Sequence, residues 1–405
     1  MRRIDPAAIV IGAGVCAALH VGKLPPALPV LHDAIGVSLV QAGFLLSLVQ
    51  LAGMTLGLLV GLAADGWGLK RSMAGGLLLL SVASMLGGSA RDAPTLLALR
   101  AVEGFGVLLA TMPAPGLIRL LVPAQRLNAM LGWWGAYMPL GTSIALLCGP
   151  LAIAWAGWPG WWRGLGMLSL LMAAWLWLAL PSDGARRPLA TGSKQPTADG
   201  WRERLRRTLS SRGPWLVASS FTVYSGQWLA VIGFLPLLYA QAGVAAGLAG
   251  VLTSLAAAVN MVGNVVSGRL LQRGVSARRL LGIGFCAMGL GSFVAFAPWP
   301  SLTPELVGAS FALRYLGVLM FSMLGGMVPG TLFSLAVTLA PGANTVSTTV
   351  GWMQQCSALG QFASPPLVAL VASRAGGWHW TWVVTGALAV LGLLVARMMP
   401  VRAHA

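Results

Sequence analysis

Ionisable residues inside apolar runs are where this chain could do chemistry, and they are few. Arg100 and Glu103 stand three apart in Ala98-Leu99-Arg100-Ala101-Val102-Glu103-Gly104-Phe105-Gly106. On a helix that spacing puts both on one face. The pair supports two readings: a self-neutralising structural contact, or an acid that takes and gives a proton while the neighbouring cation tunes it. His20 and Lys23 repeat the spacing just ahead of Pro25, Pro26 and Pro29, which end or kink a helix. The histidine is either a hydrogen-bonded packing residue or a proton carrier. The lysine either snorkels to a surface or faces a watery cavity. Tyr224, Ser225 and Gln227 form a second polar group, Arg314 lies ten residues beyond Pro304, and Gln354, Gln355 and Gln361 add amides. The four cysteines (Cys16, Cys148, Cys286, Cys356) lie far apart in apolar runs and read as packing residues without metal spacing. The phosphate-cradling pattern Gly-x-x-x-x-Gly-Lys-(Ser/Thr) does not occur, so an ion gradient is the expected energy source. No catalytic residue, metal or cofactor is expected.

The elements that carry these residues follow from the solvent. Of 405 residues, 57% are hydrophobic and 9% charged, far from the roughly 25% charged of a soluble domain. Runs of about 20 apolar residues span a hydrocarbon core. Twelve are expected: 7–31, 41–64, 72–89, 94–118, 127–156 and 161–180, then 214–240, 245–268, 279–297, 304–336, 345–371 and 378–398. Arg2 and Arg3 precede an apolar stretch with no clear cleavage site, the pattern of a retained first helix. The net charge of +17 would suit nucleic acid if it lay on one soluble face. Instead it follows topology. With the N-terminus inside, 20 of the 26 Lys and Arg fall on inner segments, three on outer ones (Arg91, Arg163, Arg374) and three within spans (Lys23, Arg100, Arg314). That asymmetry is the positive-inside rule, and it expects both termini in the cytoplasm. The polar stretch 181–213 holds eight arginines and lysines against three acids. Its first part reads as flexible linker. In its second part Trp201, Leu205 and Leu209 recur every four residues, either as a helix lying on the inner leaflet or as a solvated basic tether.

The halves repeat. At an offset of 207, Pro29, Gly43, Ser47, Gly61 and Arg71 match Pro236, Gly250, Ser254, Gly268 and Arg278, and His20 matches Gln227. Ala98-Leu99-Arg100 matches Ala312-Leu313-Arg314 at 214. The expected domains are an N-terminal six-helix bundle (1–181), a basic cytoplasmic linker (182–213) and a C-terminal six-helix bundle (214–405).

Between the second and third runs lies Gly61-Leu62-Ala63-Ala64-Asp65-Gly66-Trp67-Gly68-Leu69-Lys70-Arg71. It resembles the loop signature Gly-x-x-x-Asp-x-x-Gly-x-(Lys/Arg)-(Lys/Arg) of the major facilitator superfamily, with Gly66 where that family usually has a basic residue. Arg100 to Gly106 resembles its helix-4 signature, Arg-x-x-(polar)-Gly-x-Gly. The resemblance covers essentially the whole chain. It implies an all-α integral membrane protein of 12 transmembrane helices in two pseudo-symmetric six-helix bundles, with a central cavity lined by helices 1, 4, 7 and 10. It makes Gly61, Asp65, Gly68, Lys70 and Arg71 a conformational gate, with Asp65 facing the helix-11 start near Asn344 and Thr345. The cavity residues are then Arg314, Lys23, Arg100, His20, Tyr224, Gln227 and Gln355, with Glu103 and His20 as proton-coupling groups. Three cations against one carboxylate leave that cavity at net +2, which favours an anion gripped by arginine. The expected function is secondary active transport, by alternating access, of a small organic anion coupled to protons. The expected setting is a monomer in the inner membrane, with no nucleic-acid partner. The alternative is proton-antiport export of drugs or other lipophilic or cationic compounds. Against it, Gly149-Pro150-Leu151-Ala152-Ile153 lacks the closing glycine pair of the drug antiporters' helix-5 signature. A non-transporting membrane sensor is the third reading, and buried arginines argue against it.

Overall fold

The structure, a computed structural model, describes residues 5–58, 68–123, 126, 130, 133–182, 201–298, 307–342 and 345–399. Helices and their connections make up all of these residues, with no strand among them. Among the described residues eleven helices are long and apolar enough to cross a membrane. The longest runs 43 residues, Tyr137–Ala179, roughly 64 Å at 1.5 Å per residue and twice the ~30 Å hydrocarbon core. It breaks at Gly157, whose φ of 70° and ψ of 170° are not helical and suit only glycine. Two spans therefore meet there without a loop, and the expected break between 156 and 161 is present.

In chain order the elements are α1 (Pro6–Gly22), α2 (Leu28–Ile35), α3 (Leu39–Ser47), α4 (Leu69–Gly87), α5 (Ala93–Thr111), α6 (Ala114–Leu121) and α7 (Tyr137–Ala179). Then follow α8 (Trp201–Ser210), α9 (Arg212–Gln241), α10 (Ala246–Ala258), α11 (Asn260–Gln272) and α12 (Ala277–Phe296). Last come α13 (Val307–Gly325), α14 (Met327–Thr338), α15 (Val346–Ala375) and α16 (Thr381–Met398). Two helix starts carry side-chain caps: Asp5 accepts from the Ala7 N–H at 3.0 Å and Asp92 from the Thr95 N–H at 2.8 Å, satisfying donors a helix start leaves free.

The chain forms two compact units. The first comprises Met1–Ser38, Leu48–Ala198 and Leu235–Ser254; the second comprises Leu39–Ser47, Asp199–Phe234 and Leu255–Ala405. In the first, α1 packs on α7, and α4 packs on both α5 and α7. Ile9, Val10, Ala13, Met73, Leu77, Leu80, Val107 and Leu176 form its apolar core. The close approach of α4 and α5 rests on glycine: a Cβ on Gly76 would sit 2.7 Å from the Gly106 carbonyl oxygen, and one on Gly106 would sit 2.9 Å from the Gly76 carbonyl oxygen. In the second unit α12 packs on α13 and α16, and α11 on α14, with Gly291 and Gly317 crossing in the same way. Apolar side chains cover the outside as hydrocarbon requires; Trp155 is 91% exposed and Leu178 83%.

Candidate functional site

The site begins with a defect in α1. Pro25 and Pro26 have no N–H, so the carbonyls four residues earlier, Val21 and Gly22, lose their helical donors. Side chains from other helices recap this end. Arg100 Nη1 donates to the His20 carbonyl at 2.6 Å and Arg100 Nη2 reaches the Val21 carbonyl at 3.4 Å. Trp161 Nε1 donates to the Lys23 carbonyl at 3.0 Å. The frayed end of α1 is thus held by α5 and α7, and it delivers His20 and Lys23 to those helices.

There the charged groups converge. Lys23 Nζ donates to Glu103 Oε1, to Ser84 Oγ at 2.8 Å and to His20 Nδ1 at 3.3 Å. It also lies 4.7 Å from the centre of the Trp162 ring, a cation–π distance. Three N–H groups meet three acceptors, so the ammonium is saturated. Because an ammonium only donates, His20 Nδ1 is the acceptor, and its Nε2–H faces Ser169 Oγ at 2.7 Å. The second oxygen of Glu103 accepts from Arg100 Nη1 at 2.7 Å. Ser84 Oγ donates onward to the Trp162 carbonyl at 2.7 Å, and Cys16 Sγ lies 3.5 Å from Ser169 Oγ. His20, Lys23, Arg100 and Glu103 are all at most 1% exposed. Dehydrating each ion costs several kcal/mol, offset only by such saturated pairing. Two cations against one carboxylate leave the cluster with one net positive charge.

The other expected residues lie elsewhere. In the second unit Tyr224 and Asn260 hydrogen-bond each other, with Asn260 Nδ2 2.9 Å from the phenol oxygen. Gln227 is fully buried, and among the described residues neither of its amide atoms has a hydrogen-bond partner. Arg314 is half-buried and donates to the Ala295 carbonyl at 2.8 Å; among the described residues it makes no ion pair. Gln355 is half-buried on α15. Of the expected gate, Gly68 precedes α4 with φ of 97°. Lys70 is buried and donates to the Leu180 carbonyl at 2.6 Å, 4.8 Å from the Trp177 ring centre, so its charge caps the end of α7. Arg71 is exposed. Gly61, Asp65 and Asn344 lie outside the described residues. The structure therefore joins His20, Lys23, Arg100 and Glu103, places Tyr224 with Asn260, and links Arg314 to neither group by a hydrogen bond among the described residues. Sequence reasoning missed Ser84, Ser169, Trp161 and Trp162, which look like ordinary membrane-helix residues. It also missed Asn260 and Asn264, whose one-turn spacing in an apolar run was a usable signal.

A family model described as Major Facilitator Superfamily matches residues 10–365. The chain belongs to this superfamily. It is 26% identical over 388 residues to the 2-nitroimidazole transporter of Escherichia coli (strain K12), covering 92% of this chain and 88% of the relative. It is 25% identical over 396 residues to the cyanate transport protein of the same organism, covering 93% and 92%. Its fold matches a bacterial homolog of the human lysosomal transporter Spinster, in an inward-facing and unoccupied conformation. That match has a TM-score of 0.77 at 15% identity and covers 98% of each chain. As a member of the superfamily the protein is a multi-pass membrane transporter rather than an enzyme.

Proposed function

We propose that the protein moves a small anionic organic solute across a bacterial inner membrane by alternating access, coupled to protons, with both termini in the cytoplasm. The observation that carries the reading is the buried cluster of Lys23, Arg100, Glu103 and His20 with its excess positive charge. A helix bundle that only needed to be stable would do as well with apolar residues there, and ionisable groups at membrane depth mark solute and proton paths. In this reading an entering anion competes with Glu103 for Lys23 and Arg100, while Glu103 and His20 carry the coupled proton. Arg314, Tyr224, Gln227 and Gln355 complete the solute's surroundings, and Gly61, Asp65, Gly68, Lys70 and Arg71 govern the change of access. The likeness to a cyanate transport protein supports a small anion, since cyanate is one. The likeness to a 2-nitroimidazole transporter favours a second reading, transport of an uncharged heteroaromatic compound.

The test is uptake of labelled cyanate, short carboxylates and 2-nitroimidazole into vesicles holding the purified protein, with and without a pH gradient. Anion flux that responds to the gradient and disappears in Glu103→Gln supports the proposal. Flux of 2-nitroimidazole alone, indifferent to the gradient, overturns it in favour of the second reading.

A further inference from the structure

The second unit contains a polar node that the charged cluster does not explain. Two spans cross there. The junction of α10 with α11 is at Val259 and that of α13 with α14 at Gly326, and both residues keep helical dihedrals (φ −62°, ψ −18° and φ −57°, ψ −17°). The spans touch at these junctions: any Cβ on Gly326 would collide with the Asn260 carbonyl. Asn260 begins α11 and fills the junction with its amide. Asn260 Nδ2 donates to the Ser322 carbonyl at 2.8 Å, Asn264 Nδ2 lies 3.1 Å from Asn260 Oδ1, and Trp228 Nε1 donates to Ser322 Oγ at 3.1 Å. The Tyr224 hydroxyl closes the network on α9. Polar side chains inside membrane spans face one another or a solute path rather than lipid.

Gln227 lies three residues after Tyr224, on the same side of α9. It is 0% exposed, and among the described residues both amide atoms lack a partner. A buried carboxamide without partners is destabilising, because it has lost its water and gained nothing. On the same helix Tyr224, Ser225 and Trp228 have hydrogen-bond partners, whereas the Ser220 hydroxyl, two turns before Gln227, has none among the described residues. Charged partners are absent as well: among the described residues the node's polar contacts are all neutral amides, hydroxyls, carbonyls and an indole.

We infer that Gln227, backed by the Tyr224–Asn260 network, is the specificity-determining contact for the uncharged edge of the transported solute. A carboxamide presents one acceptor and one donor side by side. Its complement is a solute edge with adjacent donor and acceptor: an amide, a lactam, a pyrazole, or an azole N–H beside an exocyclic oxygen. This rests on the proposed transport function and refines its substrate class to small acids bearing such an edge.

The probes are pyrazole-4-carboxylate, cyclopentanecarboxylate and 2-nitroimidazole, measured by competition and thermal shift on the detergent-purified full chain, wild type and Gln227→Leu. The wild type should favour pyrazole-4-carboxylate over cyclopentanecarboxylate by about 10- to 100-fold, the discrimination of one good bidentate contact. In Gln227→Leu that ratio should fall to near 1 with cyclopentanecarboxylate binding unchanged. The unliganded variant should melt higher than wild type, since an unpartnered amide has been removed; a packing residue would melt lower. An unchanged ratio, or a lower melting point with the ratio retained, overturns the inference. Binding of 2-nitroimidazole that depends on Gln227, with no binding of either carboxylate, sinks the anion reading and leaves the assignment of Gln227 standing.

Discussion

Replacing Glu103 by Gln should be far more damaging than replacing Lys23 by Met, although each removes one end of the same ion pair. In the wild type Glu103 answers two cations. Glu103→Gln keeps the shape but leaves Lys23 and Arg100 buried with no counter-ion. An uncompensated buried charge typically costs about 3–5 kcal/mol. Lys23→Met instead leaves Arg100 and Glu103 as a neutral pair, still tied to the His20 carbonyl at 2.6 Å. What it loses is the ammonium's contacts to Glu103, Ser84 and His20, a loss offset by no longer burying an ammonium, which itself costs several kcal/mol. Ser84 keeps its bond to the Trp162 carbonyl. At about 2–4 °C per kcal/mol for a unit of this size, Glu103→Gln should lower the melting temperature by roughly 6–20 °C. Lys23→Met should lower it by only a few degrees. Adding Lys23→Met to Glu103→Gln should restore part of the loss, because it removes one of the two orphaned cations. The assay is thermal unfolding of detergent-purified protein, followed by dye binding or loss of monodispersity. If Lys23→Met is as damaging as Glu103→Gln, or the double variant is worse than both singles, charge balance does not govern the cluster.

Adjacent glycines should respond oppositely. Nothing lies within 4 Å of a Cβ on Gly75, whereas on Gly76 it would press into the α5 backbone. Gly75→Ala should stabilise by up to about 1 kcal/mol through helix propensity, and Gly76→Ala should sharply reduce the yield of monodisperse protein; similar melting points for the two would contradict the packing argument. On α8, hydrogen bonds from Arg206 and then Arg207 hold the Glu203 carboxyl down at about 2, against 4.5 ordinarily. A depressed acid contributes order above its ordinary value and loses it as pH falls towards the depressed one. Hydrogen-exchange protection of α8, corrected for intrinsic rates, should therefore hold from pH 7 to 5 and decline from about 4.5 towards 2. Glu203→Gln should show the low-pH protection at every pH; full protection in that variant would rule out the clamp. Lys70→Met should remove the cap on the Leu180 carbonyl and raise exchange in the last turn of α7, at a cost of about 1–3 kcal/mol for an unsatisfied buried group; unchanged exchange there would show that water replaces it.

The linear sequence determined the solvent and the spans, because hydrocarbon thickness sets the length of an apolar run and burial sets its composition. The separation near Gly157 was legible because glycine and proline cluster there, although the structure joins the two spans without a loop. The ionisable residues within spans were legible too, since any charge in an apolar run stands out. Their partners were not. His20 and Lys23 meet Arg100 and Glu103 across eighty residues, and that pairing depends on how α1, α4, α5 and α7 are rotated. Helix periodicity says which residues share a face, not which face meets which neighbour. Close glycine contacts such as Gly76 with Gly106 set the latter. Ser84 and Ser169 became acceptors only because tertiary packing brought Lys23 and His20 to them. Lys70 read as part of the gate loop, and its buried contact with the Leu180 carbonyl was invisible because that carbonyl ends a helix 110 residues away. Gln227 was visible as a polar residue in a span. That its amide is buried without a hydrogen-bond partner among the described residues is a fact of three dimensions alone, because hydrogen-bond satisfaction depends on neighbours that sequence order does not name.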